Sequence, residues 1–198
     1  MKIIKSLIFL FASITVFAQD NIVDDNTKPS RFQIGVHYVG NLRDKNNVVS
    51  DGFNGIVGLD AQYAFYSNST IKISGGLSVD YLQSREVFLT DDTFVWNPKA
   101  SIEVDAFNAK LKPFCAIGYA FFTNNFDLTP IDYVGNEPIY FSNRNVKFNY
   151  NGITLQPGLR YHLSKLLYLE GSYKFYAAKS DGFDANFHFI NLGFGFKV

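Results

Sequence analysis

Three polar side chains are of the types that nucleophilic catalysis uses. His162 and Ser164 are two residues apart, and Glu170 follows in the next apolar run. A serine nucleophile needs a histidine base and an acidic group that orients the histidine. The stretch RYHLSK also has the composition of a strand that ends in a turn, where a serine hydroxyl bonds the backbone. We favour the turn, and the sequence predicts no catalytic residue.

Metal and cofactor chemistry has weaker signals. His37 and His188 are isolated, and Cys115, the only cysteine, stands in an apolar run. A protein metal site needs several such ligands together. The sequence therefore predicts no metal site and no cofactor. The formal net charge of zero also predicts no nucleic-acid partner.

Many of the charged residues alternate with apolar ones, so that acids and bases share one face. Buried charges must be paired or hydrated. We therefore predict a charge network inside the fold. Its members are Asp60, Lys72, Asp80, Glu103, Asp105, Lys112, Arg160, Glu170 and Lys174.

Strands must position these side chains. Apolar residues recur with period two through most of residues 31–198, which is the strand signature. Leu155 and Leu159 share one face opposite Gln156 and Arg160, and Phe53 falls on the apolar face of its own run. The pattern predicts about eight strands of roughly 10 to 14 residues, which is long for a globular protein. Pro157 is awkward inside a strand, and we predict a local bulge there.

Short and long connections alternate between these strands. The short ones are SNST, NAK and SK, and the long ones cover about residues 42–52, 85–96, 123–148 and 177–185. This layout is typical of an all-β, eight-stranded antiparallel up-and-down transmembrane β-barrel, with short periplasmic turns and longer extracellular loops.

A soluble barrel or sandwich is the alternative, because a soluble barrel also alternates but turns its apolar face inward. Three features favour the membrane barrel. The polar face is rich in glycine, it mixes charge signs, and aromatic residues gather near the strand ends of the apolar face. Such aromatic girdles mark the two membrane interfaces.

The two ends of the sequence carry targeting signals. Residues 1–18 have the lysines, apolar stretch and small final residue of a signal peptide, and residues 19–30 read as a flexible periplasmic lead-in to a barrel at 31–198. The end NLGFGFKV resembles the C-terminal signature by which assembly machinery recognises outer-membrane barrels. The resemblance rests on Asn191, Gly193, Phe196 and Val198, although the family pattern prefers a terminal aromatic residue.

The stretch NGITLQPGLRYHLSKLLYLEGSYKFY combines a Pro-Gly strand, a tight Ser-Lys turn and an aromatic-rich return strand. With the rest of residues 31–198 it resembles the small OmpA/OmpX-like outer membrane protein beta-barrel domain family, the short porin family barrels. The resemblance implies location in the cell outer membrane of a Gram-negative envelope. The partners expected are membrane lipid, lipopolysaccharide and the barrel-assembly machinery.

Three classes of function remain open. The first is a structural or surface-contact role through long extracellular loops, with a lumen largely plugged by side chains and an extracellular ligand that the sequence does not identify. The second is a small pore. The third is a lipid A-modifying enzyme, because His162 and Ser164 resemble the His-x-Ser arrangement of outer-membrane lipid A deacylases. We favour the first, since an eight-stranded barrel is only wide enough for side chains to fill.

Overall fold

The computed structural model describes residues 30–42, 51–85, 91–105, 110–128, 131–134, 137–140, 144–180 and 183–198. Ten strands lie in these ranges. They are β1 (Phe32–Asn41), β2 (Phe53–Ser67), β3 (Ile71–Ser84), β4 (Thr93–Val104), β5 (Leu111–Leu128), β6 (Ile131–Val134), β7 (Glu137–Tyr140), β8 (Arg144–His162), β9 (Leu167–Ser180) and β10 (Phe183–Lys197). No helix in the described part of the chain is both long and apolar enough to cross a membrane.

Eight of the strands close into one antiparallel barrel. Their order around the barrel is β1-β10-β9-β8-β5-β4-β3-β2, and β6 and β7 form a separate two-stranded sheet. The first and last strands close the barrel, with Ile34 opposite Phe196 and Tyr38 opposite Leu192. Closure leaves no open edge in the barrel, because each of its eight strands pairs with a neighbouring strand on both sides. The predicted eight-stranded antiparallel barrel is confirmed.

The barrel has two different ends. At the turn end β2 joins β3, β4 joins β5 and β8 joins β9, and both Ser30 and Val198 lie there. Residues 106–109, in the second of these connections, lie outside the described ranges. At the opposite end, which we call the loop end, the predicted long connections occur. Of these, residues 43–50, 86–90, 129–130, 135–136, 141–143 and 181–182 lie outside the described ranges, as do the predicted signal peptide and residues 19–29 of the lead-in.

The apolar face of the strands points outward and the polar face points inward. Leu59, Ile117, Ile153 and Leu192 are each largely exposed on the outer surface, whereas Arg160 is fully buried in the lumen. This inside-out arrangement is the one a lipid-embedded barrel requires, because hydrocarbon rather than water covers the outer surface. The protein's core therefore lies inside the barrel.

Strand β2 contains two bulges that the sequence pattern did not reveal. The register of β2 with β3 shifts between Gly55 and Val57 and again between Ala64 and Tyr66. An extra residue in a strand reverses the facing of everything beyond it. The prediction that Phe53 shares the outer face was therefore wrong, and Phe53 is fully buried in the lumen.

The predicted bulge at Pro157 was wrong as well. Strand β8 pairs with β5 without a shift, with Cys115 opposite Pro157. Its pairing with β9 is interrupted at residues 156–157 but resumes at Gly158 opposite Ser172 in the same register. Proline lacks one N–H donor, and the sheet accommodates this by leaving a gap in the ladder rather than inserting a residue.

Residues 123–148 were predicted to form a long loop, but much of this range belongs to strands β5 and β8. The β5–β8 ladder runs without a break from Leu111 opposite Tyr161 to Leu128 opposite Arg144. The β8–β9 ladder begins only at Asn151 opposite Lys179. The two long strands therefore continue past β9 at the loop end as a two-stranded extension, and the β6–β7 hairpin lies between them in the sequence.

Candidate functional site

Arg160 lies at the centre of the lumen near the turn end. Its Nε donates to Glu170 Oε2 at 2.9 Å, and its Nη1 donates to Glu103 Oε2 at 2.9 Å. The guanidinium also lies over the rings of Phe114, at 4.3 Å, and Tyr168, at 5.3 Å from the centroid. Two carboxylates and two aromatic faces thus hold one cation, an arrangement that the planar guanidinium suits better than an ammonium.

Glu103 has a second side, toward the mouth of the turn end. Its Oε1 lies 3.6 Å from Lys72 Nζ and 3.8 Å from His162 Nε2. Both distances are too long for hydrogen bonds. The side chain of Lys197, from β10, lies within electrostatic reach of Glu103, Lys112 and Arg160. Several positive groups therefore surround one carboxylate.

A second ion pair lies farther into the lumen. Lys99 forms a close ion pair with Asp60 and donates to Gln156 Oε1 at 3.0 Å. Gln62 Nε2 donates to Asp60 at 2.6 Å and its Oε1 accepts from Ser101 at 3.0 Å. Lys99 was not among the nine residues of the predicted network, although it stands on the same face.

Asp80 organises the middle of the lumen. Its Oδ1 lies 2.9 Å from His37 Nε2, and its Oδ2 accepts from Lys174 Nζ at 2.8 Å and from the Tyr176 hydroxyl. Lys174 also donates to Ser78 Oγ at 3.1 Å. Asp80 and Lys174 are both fully buried, so each needs the other to offset the loss of water.

Gly58 makes room for this group. Its missing side chain leaves the space that the His37 ring and the Asp80 carboxylate occupy, and a Cβ there would overlap both. The glycine-rich polar face of the sequence therefore has a steric reason, at least here, because polar side chains fill the volume that a larger residue would take.

The remaining predicted pair lies at the rim. Lys112 Nζ and Asp105 Oδ2 are 2.9 Å apart, and both side chains are partly exposed at the turn end. The structure thus divides the nine predicted residues into a group around Arg160 and Glu103, the Asp60 site, the Asp80–Lys174 pair and this rim pair.

The loop half of the lumen is filled mainly by aromatic side chains. This cluster was not predicted from the sequence. The buried residues, here called the aromatic cluster, comprise Val39, Phe53, Leu82, Val95, Ala120, Phe122, Tyr150, Tyr176, Ala178, Phe187 and Phe189. Phe122 stacks on Tyr150 with centroids 4.9 Å apart, and Phe187 stacks on Phe189 at 5.6 Å. Adjacent aromatic residues such as Phe121-Phe122 were the available signal, since neighbours in a strand face opposite sides.

The residues considered for ester hydrolysis have separate environments. Ser164 Oγ accepts the backbone N–H groups of Leu166, at 3.2 Å, and Leu167, at 3.0 Å, in the turn. Glu170 pairs with Arg160, and His162 points into the lumen near Glu103. Within the described residues, no group of three or more His, Cys, Asp or Glu side chains could hold a metal ion.

A small cavity of about 10 Å³ lies behind the closing strands. It is lined by Gly35, Val36, His37, Asp60, Tyr168, Glu170, Gly193 and Phe194. This is about the space that one water needs. Polar atoms of Gln33, Asn97 and Asn191 are also buried without a protein partner, so individual waters can complete their hydrogen bonds.

The sequence matches the outer membrane protein beta-barrel domain family over residues 7–197. The chain belongs to this family. No curated protein matches it. As a family member with this fold, the protein lies in the outer membrane, and the exposed apolar surface of the barrel faces lipid.

Solved structures with the same fold include those of two bacterial proteins. Ail, the attachment invasion locus protein of Yersinia pestis, gives a TM-score of 0.56 at 16% identity and covers 84% of this chain and 95% of that chain. Neisserial surface protein A gives 0.52 at 11% identity, with coverage of 84% and 96%. A second Ail structure, in complex with the heparin analogue sucrose octasulfate, gives 0.54 at 16% identity and covers 84% of this chain and 95% of that chain. At these identities the likeness concerns the fold alone.

Within this family barrel, the predicted C-terminal signal occupies the closing strand. Phe196 pairs with Ile34 of β1 and Leu167 of β9. Val198 donates its N–H to Phe32 O at 2.9 Å. Gly193 stands opposite His37, where a Cβ would meet the β1 backbone. Asn191 points into the lumen.

Proposed function

We propose that this protein is a closed outer-membrane barrel that acts by surface contact through its loop end and does not conduct. The observation that carries the proposal is the filling of the lumen in two successive layers. Arg160 and its carboxylates occupy the turn half, and the aromatic cluster occupies the loop half. Stacked rings such as Phe187 and Phe189 leave little continuous space for ions.

The two layers oppose ion passage for different physical reasons. The paired charges hold one another in place, since moving Arg160 away from Glu103 and Glu170 would leave buried charges uncompensated. The aromatic cluster offers no hydration to a passing ion, which would have to shed its water shell there. Either layer alone would impede conduction, and together they support a plugged lumen.

Surface contact is supported by the part of the molecule that extends beyond the barrel. The β5–β8 ladder continues outward past the start of the β8–β9 ladder. Connections that project from a rigid scaffold are where binding residues concentrate. The name of Ail, a protein with this fold, refers to attachment and invasion, which agrees with a contact role. The proposal itself rests on the filled lumen and the extension.

The partners we propose follow from location. Outer-membrane lipid and lipopolysaccharide would surround the apolar face and its aromatic residues, such as Trp96 and Tyr119. The barrel-assembly machinery would recognise the closing strand, and an extracellular ligand would bind at the loop end. We propose no enzymatic activity, because Ser164 accepts backbone N–H groups in the turn, Glu170 pairs with Arg160, and His162 points into the lumen near Glu103.

Planar-bilayer recording of the purified protein is the test of the closed lumen. We expect no steady conductance steps. Large, steady, porin-sized steps in the wild type would favour the alternative of a small pore and would overturn the proposal.

The contact role needs a separate test. Residues 129–143 are replaced by a Gly-Ser linker of equal length, and whole cells that express either version are screened for binding to host-surface and matrix glycans and proteins. Binding by the wild type that the linker version loses, at equal surface expression, supports the role. Equal binding by both versions contradicts it.

A further inference from the structure

One edge of β8 has no neighbouring strand at the loop end. Strand β8 begins at Arg144, but its ladder with β9 begins only at Asn151 opposite Lys179. Among the strands that the structure describes, β8 therefore has a neighbour only on its β5 side over residues 144–150. The side of this part of β8 that faces away from β5 is here called the open edge.

The β9–β10 ladder ends before it reaches the outer part of this edge. Counted from Lys179, the position opposite Lys147 would be residue 183. Phe183 instead belongs to β10 and pairs with Ser180 of β9. Strands β6 and β7 form a sheet of their own.

The backbone groups at the open edge belong to alternate residues. His162 donates its N–H to Lys110 O at 2.7 Å on the β5 side, and Leu163 donates to Leu167 O at 2.9 Å on the β9 side. In an antiparallel ladder the N–H and C=O of one residue point to the same neighbour, and those of the next residue point to the other. The β5–β8 ladder has no register shift, so the odd-numbered residues of β8 face away from β5. Pro157 fits this rule, because its missing N–H falls on the β9 side, where the ladder is interrupted.

The open edge therefore presents the backbone N–H and C=O groups of Asn145, Lys147 and Asn149. These groups recur about every 6.8 Å, the length of two strand residues, which is also their spacing along another extended chain. The side chains of Lys147 and Asn149 are exposed. The outward-facing side chains of β8 are apolar at Ile153 but polar from Asn151 to Lys147, so water rather than lipid covers this edge.

The opposite edge of the same extension is covered. Thr123 O accepts the Thr93 hydroxyl at 2.7 Å, and Asn125 O accepts the N–H of Asp91 at 3.4 Å. The Asn125 amide also donates to Asp91 Oδ2 at 2.9 Å. The extension thus offers an additional strand one edge to pair with, and an exposed regular edge is a template for such pairing.

We propose that the open edge of β8 binds an extended polypeptide segment of another protein, which pairs antiparallel to β8 and places an acidic side chain opposite Lys147. Backbone hydrogen bonds supply the affinity of such pairing, and opposite charges across two strands favour the acidic partner. The pairing rests on the surface-contact role proposed above, and it assigns that role a chemical class of partner.

A second copy of the chain fits this edge less well. Copies in one membrane have the same orientation, so their β8 strands both run toward the membrane and could pair only in parallel, which is the less stable arrangement. Two Lys147 side chains would also come close together, and like charges destabilise a strand pair.

Amide hydrogen exchange of the protein in lipid nanodiscs, measured by nuclear magnetic resonance, tests whether the edge is open. The amides of Phe148 and Tyr150 face β5 and should exchange slowly. Those of Lys147 and Asn149 should exchange at least about tenfold faster, because a hydrogen-bonded amide must first open. Equal protection of both sets would show that the edge is already covered and would overturn the proposal.

Binding is tested with the synthetic peptide SVTVEVTVS, acetylated and amidated at its ends. At millimolar concentration it should protect the amides of Lys147 and Asn149 from exchange. The matched control is the same peptide N-methylated at the glutamate and both threonines, which removes the N–H groups that would face β8. Absence of protection by the unmodified peptide, or equal protection by both peptides, would overturn the proposal.

Two variants separate the backbone from the charge. Lys147→Ala and Lys147→Pro both remove the ammonium group, but only proline removes the edge N–H. Both should fold, since Pro157 occupies an odd-numbered position of β8 without a register shift against β5. The proline variant should bind the peptide at least about fivefold more weakly than the alanine variant, the ratio that one hydrogen bond supports. Equal affinities would overturn strand pairing.

The peptide experiment and the whole-cell screen fail separately. The linker version replaces residues 129–143 and keeps the open edge, so it should bind the peptide as the wild type does. Peptide binding by a protein that shows no loop-dependent binding on cells would support the edge and contradict the broader contact role. Loop-dependent binding on cells without peptide binding would overturn the edge and leave the contact role supported.

Discussion

At the scale of single residues, the buried side chains of the lumen depend on one another, because replacing one of them leaves its partners without a contact. Arg160 touches two carboxylates from β4 and β9 and two rings from β5 and β9. Leu159 is its neighbour in the same strand, but it faces lipid. Leu159 and Arg160 are thus adjacent in β8 but differ in burial, charge and surroundings.

Replacement of Arg160 by alanine should destabilise the barrel strongly. Glu103 and Glu170 would lose their main partner, at a cost of about 3 to 5 kcal/mol for a fully buried group. Leu159→Ala removes a lipid-facing side chain and should cost about 1 kcal/mol or less. Denaturant unfolding in lipid vesicles measures both, and equal losses of unfolding free energy would contradict the network.

Glycines on the two faces of the barrel should differ in the same way. Gly58→Ala would force a Cβ into the His37–Asp80 contact, and we expect a loss of about 1 to 3 kcal/mol from overpacking. Gly171→Ala is the matched control, because the nearest atom to its new Cβ is Leu192 Cδ2 at an ordinary 3.6 Å. Unfolding free energies of both variants, measured in the same lipid, decide the comparison.

At the scale of elements, period two predicted the strands and their faces well, as Leu155 and Arg160 illustrate. It did not predict the change of face at Phe53, because a bulge depends on pairing with β3 that a single strand does not encode. It also did not reveal the aromatic cluster. Alternation shows that two faces exist, but at the loop end both faces are apolar, so polarity no longer separates lumen from lipid.

The closing strand gives a prediction about assembly. Phe196→Ala keeps the backbone pairing of β10 but alters the predicted recognition signal. Leu192→Ala, on the same face of the same strand, is the control. We expect slower assembly for Phe196→Ala in membranes that contain the assembly machinery, and unchanged folding of both variants into pure lipid vesicles. A defect that appears equally without the machinery would point to strand stability rather than recognition.

The extended strands give a prediction about topology. In a Cys115→Ala background, a cysteine at Lys147, exposed on the part of β8 beyond β9, should react with a membrane-impermeant maleimide on intact cells. A cysteine at Asn68, in the turn between β2 and β3, should react only after the outer membrane is broken. The reverse pattern would invert the assignment of the two ends.

At the scale of the whole molecule, family and fold could be inferred from pattern, but the content of the lumen could not be inferred fully. The charge pairs depend on which strands meet across the barrel, for example Lys174 of β9 with Asp80 of β3. These two residues are 94 positions apart in the sequence, so a local pattern cannot predict that they pair. Mixed signs on one face predicted that pairs would form, and the closed topology decides which residues form them.

Opening the aromatic cluster should convert the closed barrel into a conductor. Phe122 and Phe187 meet edge to face with centroids 5.6 Å apart, so Phe122→Ala with Phe187→Ala removes two rings from one level of the lumen. Conductance steps should appear in planar bilayers. The outward-facing pair Phe121→Ala with Ile190→Ala should stay silent, and conduction by this control would show that the steps arise from general damage.

The position of Cys115 has a consequence for redox chemistry. Its side chain is exposed on the lipid face, where the backbone pairs with Ile102 and Pro157. Compartments outside the cytoplasm oxidise thiols, and an unpaired cysteine there would ordinarily cross-link to other chains. The reactive species is the thiolate, and oxidants and thiols dissolved in water have little access to a side chain that hydrocarbon covers. The membrane thus shields the thiol of Cys115 from oxidation. The protein can therefore keep an unpaired cysteine in an oxidising compartment without a disulfide partner or a reductase.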